Sequence, residues 1–199
     1  MTLTRRSTLA EVAAAVSDAL RRADLTAVLT GGACATFYSD GAYQSHDLDF
    51  ILQGGSGTRR TLDDAMASIG FVRNADRYVH PATHYFVEFP RGPLAIGDDF
   101  NIKPVTLALG TGSTTALSAT DACRDRLSAF YHWSDRQSLE VAVAIANRRP
   151  INLASIRRWS EKEGFLDKFG EFRRQLSEIT LARRSVVPRT RRTRRTRRT

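Results

Sequence analysis

The sequence predicts an α+β fold, a small mixed β-sheet flanked by helices and followed by a helical C-terminal region. Three observations carry this. Short apolar runs bounded by glycine, proline and aspartate alternate with amphipathic stretches up to Leu109. A glycine, serine and threonine stretch, Gly110 to Thr115, then interrupts the chain like a linker. Beyond it, every segment to Arg184 carries helical periodicity and helix-start signals. The expected organisation is a sheet domain over residues 1–112, a helical region over 113–184 and a disordered arginine-rich tail over 185–199.

Element by element, Thr8-Leu-Ala-Glu11 reads as a capping box, and Leu9, Val12, Ala13, Val16 and Leu20 make one apolar face of a first helix. Thr26 to Thr30 (TAVLT) is a short strand ended by Gly31-Gly32, with a short helix expected over Ala33 to Tyr38. His46 to Leu52 (HDLDFIL) is a second strand, and Gly54, Gly55 and Gly57 open the turn after it. Thr61 to Asp64 caps the next helix, which Gly70 ends. Four β-rich runs follow: Phe71–Arg73, Arg77–His80, His84–Phe89 and Val105–Leu109. Capping boxes at Ser118–Asp121 and Ser134–Gln137 open helices of about Thr120–His132 and Asp135–Arg148. Asn152 caps a third that stops at Gly164, and Phe165 to about Arg184 forms a fourth.

The chain of 199 residues has a formal charge of +9, and nine arginines between Leu181 and Thr199 account for all of that excess. The body is therefore electrically balanced, and the arginine-arginine-threonine repeat from Pro188 has too little apolar content to fold. Cys34 and Cys123 show neither CxxC spacing nor a companion histidine cluster, so they read as small buried residues. Glu11 and Asp18 break what would be the apolar stretch of an export signal, and no run approaches the about 18 apolar residues of a membrane span. A cytoplasmic protein without a membrane partner is expected.

The chemistry concentrates between Val28 and Leu52. Gly31 and Gly32 lack a Cβ and can let the backbone approach a phosphate, while the helix behind them offers free N–H groups and its positive dipole end. On the following strand Asp47 and Asp49 share a face, about 7 Å apart along the chain, with Leu48 and Phe50 directed to the core. Two like charges so placed call for a cation, and magnesium, a hard ion that carries phosphates, suits an oxygen donor set. Glu88 in HYFVEFP is another acid on an apolar strand. Beside the Asp47 strand it would complete a site for two metal ions, and the implied reaction is in-line displacement at an α-phosphate with pyrophosphate leaving.

Strand, paired glycine, short helix and then a strand with DxD resembles the opening of the polymerase beta-like nucleotidyltransferase superfamily, in particular its bacterial abortive-infection and MenT-like toxin group. The resemblance spans Thr26 to Leu52, and more loosely the chain to Ala144. It implies that Gly31 and Gly32 contact a nucleoside triphosphate, that Asp47 and Asp49 bind magnesium and that Glu88 is the third acid. The toxin-like branch has a lysine and then an aspartate after the sheet; Arg126 and Asp135 stand there in DRLSAFYHWSDRQSLE. Gly32 replaces a serine common in the family, and Tyr43 takes the place of an arginine two residues before Ser45, which is also assigned to nucleotide binding. The acceptor implied is RNA, for instance transfer RNA, or a protein hydroxyl, with an antitoxin as a possible partner. The departures at 32 and 43 point to an alternative, a degenerate member that binds a partner without turnover. His46 is expected on the face opposite Asp47, and Tyr131, His132 and Trp133 read as core aromatics rather than a base-stacking platform. Arg157, Arg158 and Lys103 read as solvated surface.

Overall fold

A computed structural model describes residues 2–54, 58–110 and 112–186. Gly55, Gly57 and the repeat from Pro188 onward lie outside the described residues. Helix α1 (Leu9–Arg22) opens with the capping box foreseen: Thr8 Oγ1 accepts from Glu11 N at 3.2 Å, and Glu11 Oε2 accepts from Thr8 N at 2.7 Å. Strand β1 (Thr26–Thr30) runs straight into α2 (Gly31–Tyr38), and β2 (Asp47–Gln53) returns antiparallel to β1 with Thr30 opposite Asp49.

Helix α3 (Arg59–Ala67) starts one turn earlier than its sequence signal. Thr58, not Thr61, is the N-cap, accepting from Thr61 N at 3.2 Å. Strands β3 (Val72–Asn74), β4 (Arg77–Val79) and β5 (Phe86–Glu88) form an antiparallel meander whose last member pairs parallel with β2. Strand β6 (Val105–Ala108) makes a hairpin with β7 (Ser113–Ala116), and β7 pairs parallel with β1. Half of the glycine, serine and threonine stretch expected to be a linker, Ser113 to Thr115, is thus strand. Thr114 and Ala116 point inward and are buried, so its alternation is real but written in small residues.

The resulting mixed sheet has the order β3-β4-β5-β2-β1-β7-β6. Helices α1 and α3 pack together on one side of it, and α2 lies on the other against α4 (Ala119–Trp133) and α5 (Arg136–Arg148). Helices α6 (Leu153–Lys162) and α7 (Leu166–Val186) extend this second layer. Ser118 caps α4 as foreseen, but α5 is capped by Asp135, whose carboxylate accepts from Ser138 N at 3.2 Å. Ser134 instead sits in the left-handed region, φ 55°, and turns the chain between the two helices. Asn152 caps α6, accepting from Ser155 N at 2.9 Å. Cys34 and Cys123 are free and buried, and burial raises both thiols above their usual range. No helix among the described residues is long and apolar enough to cross a membrane.

Candidate active site

The β1–α2 turn and the β2 strand interlock. Thr30 ends β1 opposite Asp49, and Gly31 adopts φ 63°, a conformation that side chains with a Cβ resist. A Cβ on Gly31 would lie 2.2 Å from Asp49 Oδ2. The glycine therefore lets the Asp49 carboxylate rest on the backbone at the start of α2. Gly32 does the same for its neighbour: a Cβ there would lie 2.5 Å from Ser45 Oγ and 3.3 Å from the Tyr43 hydroxyl. The place a serine side chain would need at position 32 is already filled by the hydroxyl of Ser45. That hydroxyl donates to Asp47 Oδ1, and Ser45 N donates at 3.1 Å to Thr36 Oγ1, which in turn donates to Gly32 O at 3.0 Å.

Asp47 and Asp49 are half-buried, while Leu48 and Phe50 are fully buried on the opposite face. The alternation read from the sequence is therefore present. In the parallel β2–β5 pair Asp49 stands beside Glu88, and on the far side Glu88 faces Arg77 of β4. Burial, then the charges of Asp47, Glu88 and Asp125, push the Asp49 carboxyl up to about 7; the positive charge of Arg126 works against them. Among the described residues no three His, Cys, Asp or Glu side chains are gathered closely enough to hold a metal ion by themselves.

Helix α4 packs against α2. Arg126 donates through Nε and Nη2 to Asp125 Oδ2 at 3.1 and 2.6 Å. Burial works against the Arg126 charge, but Asp125, Tyr43 and Asp49 hold the guanidinium above its usual range. Asp135 is held low by the Ser138 hydroxyl and further by the charge of Arg126. Arg126 is thus the cation whose charge bears on both Asp49 and Asp135. Asp125 is the site residue that sequence reasoning missed; its signal was an acid directly before the arginine already singled out. Tyr43 is the second, placed against Gly32 rather than merely standing where an arginine is absent. His46 is exposed, with its ring against His84 and Tyr85 at centroid distances of 5.4 and 6.3 Å.

No known protein family matches the chain by sequence, and no curated protein does so either. The fold, however, has a solved counterpart. The crystal structure of an antigenic nucleotidyltransferase-like protein from Paracoccidioides brasiliensis superposes with a TM-score of 0.54, covering 71% of this chain and 77% of that one at 16% identity. The fold is nucleotidyltransferase-like. The α+β class, the mixed sheet and the C-terminal helices expected from the sequence are those of this nucleotidyltransferase-like fold.

Two expected results test the interlock. Gly31→Ala should lower stability by about 1–3 kcal/mol in urea unfolding, because the left-handed conformation resists a Cβ and Asp49 must also move. Gly54→Ala shares the backbone penalty, φ 73°, but has open space around it and should cost less. The second concerns pH. A folded-state Asp49 near 7 against an ordinary value of 3.8 means that the native chain binds the extra proton between those values. With a chelator present, stability should fall as pH rises from about 4 to about 7. Asp49→Asn should remove that slope, equal the parent below pH 4 and exceed it above pH 7.

Proposed function

We propose that this chain is a magnesium-dependent nucleotidyltransferase that moves a nucleoside monophosphate from a nucleoside triphosphate to an RNA end, such as that of transfer RNA, or to a protein hydroxyl, as a toxin-type enzyme. The observation that carries the reading is the packing of Asp49 on the backbone of Gly31. It brings a paired-carboxylate strand and a helix N-terminus, the two halves of a metal-phosphate site, to the same point.

Asp47 and Asp49 would hold the metal, with Ser45 fixing the rotamer of Asp47 through its hydrogen bond. Magnesium commonly takes one or two carboxylates and completes its shell with phosphate and water oxygens, so this all-oxygen pair fits it. When bound, it supplies neutralisation of the triphosphate and activation of the attacking oxygen. The chain's own residues do the rest. The N–H groups opening α2 receive phosphate oxygens, and Arg126 offsets the charge of the departing pyrophosphate. Glu88, beside Asp49, is the base that takes the acceptor hydroxyl proton. The acceptor oxygen bonds to the α-phosphorus as its bond to the bridging oxygen breaks.

The test is transfer of α-phosphate label from each of the four nucleoside triphosphates, with magnesium, into total RNA and total protein. Label in one pool identifies nucleotide and acceptor class together; none in either pool, from folded protein, rejects the reading. A second reading has its own observation: Arg126 is already paired with Asp125, and Tyr43 takes the place of an arginine frequent in the family that the sequence resembles. In that reading the chain is a degenerate member that binds a partner, such as an antitoxin. Nucleotide binding that requires magnesium separates the two, since a pure interaction module has no use for both.

A further inference from the structure

The three aromatics at the end of α4 do not share one environment. Tyr131 is 1% exposed and stacked between Trp159 and Phe165, whereas Trp133 is 76% exposed. Leaving an indole in water forgoes one of the largest apolar burials a side chain offers. The exposure is not the result of a fraying helix end. Lys168 Nζ donates to Phe130 O at 3.2 Å, to Tyr131 O at 2.5 Å and to Ser134 Oγ at 3.3 Å, which clamps the last turn of α4.

Its position relative to the site is fixed by helix geometry. Arg126 and Trp133 are seven residues apart, so they lie on one face of α4, separated by about 10.5 Å of axial rise. Ala129 and the buried Phe130 stand between them on that stripe. At one end Arg126 pairs with Asp125, and at the other Trp133 stands directly before the Ser134 turn and the Asp135 cap of α5. A cation next to the carboxylates and a flat aromatic about 10 Å along the same stripe match, in order and spacing, the triphosphate and base of one extended nucleotide.

Resting on the nucleotidyltransferase reading, we infer that the exposed indole of Trp133 is the platform on which the base of the bound nucleoside triphosphate stacks, with Arg126 on the same helix face meeting its phosphates. Stacking on an aromatic is tolerant of base identity, so Trp133 contributes affinity for nucleotides over bare polyphosphate more than choice among the four bases.

The full chain reports on this directly, because Trp159 is 4% exposed and its Nε1 is bonded to Ile96 O, leaving Trp133 as the tryptophan open to a ligand. With magnesium present, nucleoside triphosphate should quench tryptophan emission, and tripolyphosphate, which has no base, should not. Trp133→Leu should weaken nucleoside triphosphate binding about 5- to 150-fold and leave tripolyphosphate binding unchanged, with Trp133→Phe recovering most of the loss. Equal nucleotide affinity in the parent and Trp133→Leu overturns the inference and leaves the proposed function standing. Quenching by a single-stranded RNA oligomer but not by nucleoside triphosphate also overturns it, assigning the indole to an acceptor base. If neither nucleotide nor tripolyphosphate binds the folded parent, the nucleotidyltransferase reading itself fails, and the inference with it.

Discussion

Asp47→Ala with Asp49→Ala is expected to reduce label transfer by at least about 10³-fold while leaving the fold intact or more stable. The two carboxylates are the oxygen donors that share a face of β2, and Asp47 is already oriented by the Ser45 hydroxyl. On the proposed function, without them the charge of a triphosphate at the start of α2 would meet Arg126 and helix N–H groups only. The stability side of the prediction follows from the same crowding. Asp49 suffers burial and the like charges of Asp47, Glu88 and Asp125, so removing two of these carboxylates relieves repulsion near neutral pH. Thermal melts with and without magnesium check both parts. The double variant should melt no lower than the parent in chelator and should lose any magnesium-dependent rise that the parent shows. A variant that still transfers label at a tenth of the parental rate would remove Asp47 and Asp49 from the mechanism.

Arg124→Ala is the substitution with the largest expected effect on folding, a loss of about 3–5 kcal/mol in urea unfolding. Although next to the site residues Asp125 and Arg126 in sequence, Arg124 faces the opposite side of α4. Its side chain is 6% exposed, Nη1 donates to Asp121 at 2.9 Å, Nη2 donates to Asp99 at 2.6 Å, and the guanidinium lies 5.0 Å over the Trp159 ring. Removing it leaves the Asp121 carboxylate, 14% exposed, with Ser118 as its remaining side-chain donor, and strips Asp99, 32% exposed, of its cation. Asp99 is held below the usual carboxylate range by the Asn101 N–H and by Arg124, so part of the loss should disappear once the pH falls far enough to protonate that acid. Arg126→Ala serves as the comparison and should also lower stability near neutral pH, because it leaves Asp125 without its hydrogen-bonded partner and removes the cation that opposes repulsion among Asp47, Asp49, Glu88 and Asp125.

Much of this fold was legible because its elements state themselves twice. HDLDFIL alternates carboxylate and core residues, and the strand it forms buries Leu48 and Phe50 while half-exposing Asp47 and Asp49. Thr8 and Glu11 are a reciprocal cap in sequence and in space. The elements that escaped are those in which small or ambiguous residues carry the pattern. Ser113 to Ala116 is a strand built without a single large apolar side chain, so its composition resembles a linker. Its inward positions are set by neighbours in β1 and α1, which one-dimensional reading does not contain. Thr58 and Thr61, or Ser134 and Asp135, are equally good caps chemically, and tertiary packing chooses between them.

The site divides in the same way. Gly31, Asp47 and Asp49 were visible because they fall within one local run. Tyr43 matters through its approach to Gly32 and Asp125 through its pairing with Arg126 and its charge on Asp49, and periodicity carries no information about those. Tyr131 and Trp133 are two residues apart on a helix and thus point in nearly opposite directions, a difference lost when they are read as one aromatic cluster.

The place of β1 between β2 and β7 also bears on how the chain reaches its native state. β1 and β2 are joined by a short helical connection and can pair as soon as residue 53 has been made. The other edge of β1 must wait for Ser113 to Ala116, with Leu29 registered opposite Ala116 and Leu117 N donating to Leu29 O at 3.1 Å. Contacts so distant in sequence are slow to form, and until they do β1 presents an unpaired apolar edge. A chain stalled before β7 emerges from the ribosome should therefore be the species most prone to associate with itself or to engage a chaperone.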